Sequence, residues 1–348
     1  MIVVQDRIEV DACRLHQLQE LFHQRYLEAA TARGLEYIDA TVSPPVKLTR
    51  EPVVLSLRWQ VADAPAWWAM RAQSMQPAVA AFWNEVDALC HRRERTYLVA
   101  ADAVSATGPG QDVSGFRIGV RGHRETAQLR LRDGLTTIDI ETMTVTLEQA
   151  AAQLPGLELS RLSANFAPDY AVGDYTWDLL YPDAGSAAAA RDSEAWNAGI
   201  MQALERYCTA CHALGLETIS AGLRRPGLVG GIKRTAYFRL LPGKQDASGR
   251  FEADLLEMPE HIPEILNWRL SRAVVLPWNS AQCEPWTYVW EQEFESLDGL
   301  TGPYMLHPHH WAQVDRWFDP ESGVQTVDAN LSHAFCAAPD SILSRECQ

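Results

Sequence analysis

Two neighbouring segments decide the fold of this chain: Trp286-Thr-Tyr-Val-Trp-Glu-Gln-Glu-Phe294 and Tyr304-Met-Leu-His-Pro-His-His-Trp-Ala-Gln-Val-Asp-Arg-Trp-Phe318. In the first segment large apolar side chains occupy alternate positions, which predicts a β-strand with one aromatic face. The members of that face are Trp286, Tyr288, Trp290 and Phe294. In the second segment His310, Val314 and Trp317 recur at i, i+4 and i+7, a spacing typical of an amphipathic helix. Pro308 suits the first turn of that helix, because the N–H it lacks would have no partner there.

His310 is the first candidate catalytic residue. It lies on the apolar stripe near the start of the predicted helix, where the positive end of the helix dipole disfavours imidazolium. A neutral imidazole can accept a proton. The same helical spacing predicts that His309 faces solvent and that His307 lies at the cap.

Another interpretation is that His310 is a hydrogen-bonded core residue, the ordinary fate of a histidine on an apolar stripe. The aromatic face argues against it, since buried Tyr and Trp side chains need more hydrogen-bond partners than one imidazole supplies. We therefore predict a partly open pocket with Tyr304 and His310 as its polar points. Its predicted substrate contacts are Trp286, Tyr288, Trp290 and His307.

Composition excludes several partners. The 348 residues are 47% hydrophobic and 22% charged, as in an ordinary globular protein, with a net charge of -15 and a pI of about 5.1. An acidic surface repels phosphate backbones and anionic lipid, so neither nucleic acid nor membrane is expected as a partner. No apolar run approaches the roughly 18 residues of a membrane span, and the N-terminus begins as a strand without a signal-peptide pattern. We expect a cytoplasmic protein.

The seven cysteines do not form a disulfide framework, because their number is odd and they are scattered. Cys208-Thr-Ala-Cys211-His212 matches the C-x-x-C-H pattern of covalent haem attachment. That attachment normally requires export, for which the sequence carries no signal. The pattern also lies in what we predict to be a helix over 193–214, where both cysteines would pack as small apolar groups.

The order of predicted elements repeats along the chain. The last third gives β-α-β-β-α-β, the split-βαβ order of ferredoxin-like modules, with its fourth strand at Gly323–Asn330. The first hundred residues follow the same plan, including a helix interrupted near Pro77. In the less regular middle third Thr137–Met143 is predicted as a strand. The predicted modules are 1–102, 113–223 (degenerate, without the histidine element) and 231–337, which carries the candidate site, and the fold class is α+β.

The third module resembles a known superfamily, the dimeric α+β barrels, and within it the stress-responsive barrel domain. The resemblance rests on the aromatic strand and on Tyr304-x-x-His-Pro-x-His310, and it covers about Ile232–Ala337. Among enzymes of that group the module is similar to olivetolic acid cyclase, in which the matching Tyr and second His are the catalytic pair. The resemblance thus implies Tyr304 and His310 as catalytic residues. Aldoxime dehydratases, tandem barrels of similar length that hold haem through a barrel histidine, are a second family that the chain resembles.

Three functions remain open at this point. The first is a cofactor-independent lyase, cyclase or isomerase acting on a hydrophobic carbonyl- or phenol-containing small molecule, with His310 as base and Tyr304 as oxyanion stabiliser. The second is a haem-dependent dehydratase with His310 as axial ligand. The third is a non-catalytic small-molecule-binding protein. Because three modules are an odd number of sheets, the unpaired one predicts an isologous homodimer.

Overall fold

The computed structural model describes residues 1–48, 51–107 and 109–346. Its twelve strands pair only in antiparallel ladders. They are β1 Ile2–Asp11, β2 Glu36–Ser43, β3 Pro52–Val61, β4 Cys90–Leu98, β5 His123–Leu131, β6 Leu159–Ala164, β7 Tyr175–Tyr181, β8 Cys208–Leu223, β9 Val229–Phe238, β10 Asn267–Val275, β11 Tyr288–Phe294 and β12 Ser332–Asp340.

Several helices contain π-helical turns. The α-helices are α1 Leu15–Leu21, α2 Leu27–Ala32, α3 Ala64–Arg71, α4 Pro77–Leu89, α5 Ala101–Thr107, α6 Thr137–Ala151, α7 Ala184–Arg191, α8 Gln202–Tyr207, α9 Ser248–His261 and α10 Leu297–Gly299. The π-helical segments are Phe22–Tyr26, Ala195–Met201, Leu300–Tyr304 and His309–Val314, and the last of them continues into a 3-10 turn at Asp315–Trp317.

The chain forms two compact units. Unit 1 comprises 1–111, 241–261 and 302–329, and unit 2 comprises 112–240, 262–301 and 330–348. Unit 1 contains a four-stranded sheet in the order β2-β3-β1-β4. One face of this sheet is apolar because alternate residues of β1 and β3 are buried, as the two-residue period of a strand requires.

A buried charge network lies in unit 1. The Glu321 carboxylate is fully buried and receives hydrogen bonds from Tyr26 Oη at 2.5 Å, Arg33 Nη2 at 2.9 Å and Trp83 Nε1 at 2.8 Å. Its second oxygen lies 3.0 Å from Nη1 of Arg95, whose other side pairs with Asp6 at 2.7 Å. Two buried guanidinium groups are therefore balanced by two buried carboxylates.

Unit 2 is a nearly closed barrel built from one eight-stranded sheet, in the order β12-β9-β11-β10-β8-β5-β7-β6. Each half repeats the strand order of unit 1, fourth-first-third-second, so the ferredoxin-like order occurs three times along the chain. Backbone contacts also join the two ends of the sheet, through a bridge between Asn165 and Cys336 and a hydrogen bond of 2.8 Å from Phe166 N to Phe335 O. The predicted α+β class with tandem ferredoxin-like modules is confirmed.

Charged side chains fill the inside of this barrel. Arg124 on β5 is fully buried and pairs with Glu291 on β11, with Glu346 at 3.2 Å and with Asp178 at 3.5 Å. Lys233 on β9 reaches both Asp178, at 2.5 Å, and Glu291, at 3.0 Å. Side chains from opposite parts of the sheet thus meet across the interior, and Glu291 lies between the two halves.

Three sequence predictions for single elements are wrong. Residues 137–143 are the start of α6 and not a strand, because Thr136 and Asp139 form a reciprocal capping box. The fourth strand of the last module is β12 at Ser332–Asp340, not Gly323–Asn330. Cys208 and Cys211 lie on strand β8 and not in a helix, and both are free.

The predicted modules 1–102, 113–223 and 231–337 do not coincide with the compact units. The third module is divided, since α9 and the His309–Val314 segment belong to unit 1 whereas β9, β10, β11 and β12 belong to unit 2. The module boundaries stay a prediction about the repeat.

The interruption predicted near Pro77 is confirmed, because α3 ends at Arg71 and α4 begins at Pro77. Among the described residues, none of the helices has the length and apolar character of a membrane span.

Candidate active site

The two predicted catalytic side chains lie side by side in unit 1. Tyr304 ends one π-helical segment and His310 lies in the next. The centroids of their rings are 4.2 Å apart, with the planes inclined by 40°. Tyr304 is 2% exposed and His310 is half-buried. The structure therefore brings this pair together.

A backbone contact selects the tautomer of His310. Its Nδ1 lies 3.1 Å from the carbonyl oxygen of Tyr304. A carbonyl oxygen only accepts hydrogen bonds, so Nδ1 must carry the proton and donate it. In the neutral ring the lone pair is then on Nε2. That nitrogen is able to take a proton, and it is also the nitrogen that would serve an axial haem ligand.

The first module supplies a third aromatic group to this site. Trp68 on α3 lies 5.2 Å from His310, measured between ring centroids, and its Nε1 donates a hydrogen bond of 2.8 Å to the carbonyl oxygen of Met305. Helix α3 starts at a regular cap, because the Asp63 carboxylate accepts from Ala66 N at 2.9 Å. The sequence interpretation missed Trp68, although the adjacent Trp67-Trp68 pair was a signal that this helix covers something large.

Helix α3 also anchors the segment that follows His310. Arg71 Nε lies 2.5 Å from Asp315 Oδ2 and 3.7 Å from Asp319 Oδ1, and all three side chains are largely buried. Burial raises the pKa of Asp315 to about 6, with Arg71 opposing the shift and Asp319 adding to it. The rings of Trp67 and Trp311 are 5.6 Å apart in the same contact. The segment that follows His310 is therefore held on one side by helix α3.

The prediction that His309 faces solvent is wrong. His309 is 9% exposed, more deeply buried than His310. The cause is the π-helical turn, which holds more residues per turn than an α-helix and rotates each side chain away from the position expected for a 3.6-residue period. His307 Nδ1 accepts a hydrogen bond of 3.1 Å from His309 N. Burial, with smaller contributions from His261 and His309, lowers the pKa of His307 to about 4, so its ring is neutral near pH 7.

The three predicted aromatic contacts belong to unit 2. Tyr288 and Trp290 are buried on β11, but Trp286 precedes that strand. Trp286 packs in a cluster with Tyr237 and Val289, and its Nε1 donates a hydrogen bond of 3.1 Å to His212 Nδ1. Val289 points to the opposite face of the strand from Tyr288 and Trp290, because successive residues alternate between faces. Since Trp286 packs with Val289, the expectation of one continuous face through Trp286 is wrong. Their role as substrate contacts is a proposal.

The family comparison identifies one part of the chain. Residues 232–331 match the Stress responsive A/B Barrel Domain. This match confirms the likeness predicted for the last third of the chain. The matched segment includes most of β9, all of α9, β10 and β11, and both Tyr304 and His310. None of the curated proteins matches the chain.

Solved structures with a similar arrangement of elements share little sequence with the chain. An anthrone oxidase-like protein is 11% identical, with a TM-score of 0.46, and the match covers 62% of this chain and 91% of that one. A NIPSNAP domain protein from Burkholderia xenovorans is 17% identical, with a TM-score of 0.25 over 29% of this chain and 95% of that one. A dimeric ferredoxin-like protein of unknown function from Thermobifida fusca is 17% identical, with a TM-score of 0.25 over 28% and 92%.

Proposed function

We propose that this protein is an enzyme that acts, without a cofactor, on a hydrophobic small molecule bearing a carbonyl or phenol group. His310 takes a proton next to the carbonyl or from the hydroxyl, and Tyr304 stabilises the oxyanion that develops. Cyclisation, isomerisation, dehydration and retro-aldol cleavage all begin with this step, so lyase is the class that describes the activity best. The cytoplasm is the proposed location.

One observation carries this proposal: the Tyr304 carbonyl oxygen, 3.1 Å from His310 Nδ1, fixes the proton on that nitrogen. A general base needs a lone pair that points away from its supporting hydrogen bond, and Nε2 meets this requirement. The phenol beside the ring and the indole of Trp68 give the base one polar and one apolar neighbour. His307, in the same unit, is a proposed further substrate contact, and the role of Trp286, Tyr288 and Trp290, which belong to unit 2, stays a prediction.

The test is proton exchange, because it does not require knowledge of the bond that is finally made or broken. A panel of hydrophobic ketones and phenols is incubated with the protein in D₂O, and deuterium uptake at carbon is followed by mass spectrometry. Substitution His310→Gln should lower the exchange rate of an active compound by about 10²-fold or more, the usual contribution of a positioned base. Tyr304→Phe should lower the same rate, since it removes the group that stabilises the enolate.

The matched control is His16→Gln, which removes an exposed histidine in a helix of the same unit. Its exchange rate should equal that of the unmodified protein. A His310→Gln protein that is folded and exchanges at the normal rate would show that His310 is not the base. Binding of compounds in the panel without any exchange would favour the non-catalytic alternative.

Haem ligation is the second candidate, since the same lone pair on His310 Nε2 suits an iron ligand. The ultraviolet–visible spectrum, recorded before and after haem is added, separates the two. The general-base proposal expects no new Soret band. A sharp band that disappears in His310→Gln would replace it with the haem dehydratase.

We also propose that the chain forms a homodimer through the sheet of unit 1. The sheet face opposite its apolar side carries charges of both signs, among them Arg7 and Glu9 on β1 and Glu94 on β4. In an isologous contact each Arg of one copy can meet a Glu of the other. Changing the exposed Arg7 to Glu should weaken the dimer at least about tenfold in sedimentation, whereas Arg14→Glu, in the turn before α1, should not. A monomer at micromolar concentration would contradict the homodimer.

A further inference from the structure

Three potential ligand side chains from two helical segments of unit 1 converge beside the candidate active site. They are Glu257 and His261 on α9 and His309 in the π-helical segment. One ligand atom from each lies within 4.8 Å of the other two. This arrangement of two imidazoles and one carboxylate is independent of His310 and Tyr304.

The local structure explains the convergence. Glu257 and His261 are four residues apart on α9, so they lie on the same face, one turn from each other. The π-helical turn buries His309 on the side that faces α9, and the rings of His261 and His309 stack with centroids 4.7 Å apart. A regular α-helical turn at this position would present His309 in another direction.

The distances fit a small cation. His261 Nε2 lies 3.1 Å from Glu257 Oε1, and His309 Nε2 lies 3.5 Å from Glu257 Oε2. Ligand atoms bound tetrahedrally at about 2.0–2.1 Å from a zinc ion are separated by about 3.3 Å from each other. The observed spacing therefore needs only small side-chain rotations to become a coordination shell.

His309 provides a separate reason to expect a ligand here. Its side chain is 7% exposed, and among the described residues neither of its ring nitrogens makes a hydrogen bond of regular geometry; Glu257 Oε2 lies 3.5 Å from Nε2. A buried polar atom without a partner is destabilising and uncommon in native proteins. A cation bound to the lone pair of His309 would remove this deficit.

We propose that Glu257, His261 and His309 bind one divalent transition-metal cation of the zinc and cobalt type. Imidazole and carboxylate ligands suit Zn²⁺, Co²⁺, Ni²⁺ and Fe²⁺, whereas Mg²⁺ and Ca²⁺ prefer oxygen ligands alone. The Glu257 side chain is 46% exposed, so the remaining coordination positions open to water. His307 is a supporting group and not a ligand, because its Nδ1 lone pair is used by His309 N.

The experiment is titration of the full chain, without a histidine tag, with Zn²⁺ by calorimetry and with Co²⁺ by visible absorption. The protein carries Cys283→Ser as background, because Cys283 Sγ lies 3.5 Å from His212 Nε2 in unit 2 and a thiolate site would compete for these metals. Any remaining cobalt–thiolate charge-transfer band reports binding at another cysteine. Glu257→Gln, His261→Ala and His309→Ala are compared in that background.

One cation per chain is expected, with a Kd that rises by more than about 100-fold when a ligand is removed, beyond the 10–100-fold effect of a supporting group. His16→Ala is the matched control. His16 and Glu20 form a helical i,i+4 pair at 3.5 Å that has no third ligand among the described residues, so this variant should bind the cation with normal affinity. His310→Gln should also bind normally, which separates this result from the fate of the general-base proposal. Absence of saturable binding would overturn the site. So would a Glu257→Gln protein that binds the cation as tightly as the background protein, since the exposed position of Glu257 leaves folding intact.

Discussion

Replacing Glu321 by Gln should lower the free energy of unfolding by about 3–5 kcal/mol, as expected when one partner of a buried ion network is removed. The carboxylate is fully buried and pairs with Arg33 and Arg95. The amide keeps the shape of the side chain but leaves two buried guanidinium groups with one carboxylate in the network, Asp6, which pairs with Arg95. Denaturant unfolding monitored by tryptophan fluorescence measures the loss, because Trp83 donates a hydrogen bond to the same carboxylate.

The pH dependence sharpens this prediction. Burial alone would raise the pKa of Glu321, but Arg95 and Arg33 hold it well below its ordinary value of 4.5. The stabilisation is therefore complete above the unfolded-state pKa near 4.5 and is lost as the pH falls below it. The difference between Glu321→Gln and the unmodified protein should shrink on acidification.

Two controls test the cause of the Glu321 effect. Glu85→Gln, which removes a half-exposed partner of Arg25, should change stability by no more than about 0.5 kcal/mol. The double variant Arg33→Met with Glu321→Gln restores equal numbers of positive and negative groups and should recover part of the loss. The loss of unfolding free energy caused by Glu321→Gln is measured at pH 7 and at pH 4. An equal loss at the two pH values would contradict the charge-balance explanation.

Arg124→Met should destabilise the barrel by a similar amount, about 3–5 kcal/mol. The guanidinium pairs with Glu291, Glu346 and Asp178, and the substitution leaves these carboxylates with too few cations in a buried space. Burial alone would raise the pKa of Asp178, but Lys233 and Arg124 hold it below its ordinary value. Loss of Arg124 should therefore move the acid unfolding of unit 2 to higher pH.

A second charge-neutral double variant, Arg124→Met with Glu291→Gln, should regain part of this stability. The exposed pair of Arg225 and Glu295, 2.8 Å apart in the same unit, provides the control. Arg225→Met should have an effect within about 0.5 kcal/mol, since exposed ion pairs contribute little. Equal effects of Arg124→Met and Arg225→Met would show that the barrel interior admits water freely.

Most of the fold follows from local patterns. Alternating large apolar side chains predicted the strand that is β11, and Pro77 predicted the break between α3 and α4. The first half of α6 was predicted as a strand because Ile138 and Ile140 favour a strand by propensity. The capping box and the buried positions Met143, Leu147 and Ala150, at helical spacing, decide in favour of the helix.

The candidate site could be predicted only where its parts are close in sequence. Tyr304 and His310 belong to one motif, and their rings are in contact. Trp68 and the pair Glu257 and His261 come from other helices, and no local pattern indicates which of many exposed or aromatic side chains will meet this motif. The direction of His309 was wrong because the helical period was assumed to be 3.6, whereas a π-helical turn was formed.

The bond between Tyr26 and Glu321 links residues 295 positions apart, and it has a consequence for folding during synthesis. Domains usually fold in order as the chain leaves the ribosome, starting from the N-terminus. In unit 1, Arg33 and Arg95 are buried against a carboxylate that is synthesised long after them. The final packing of unit 1 must therefore wait until Glu321 has been synthesised, and contacts of such sequence separation are typical of slow folding that exposes early segments to chaperones.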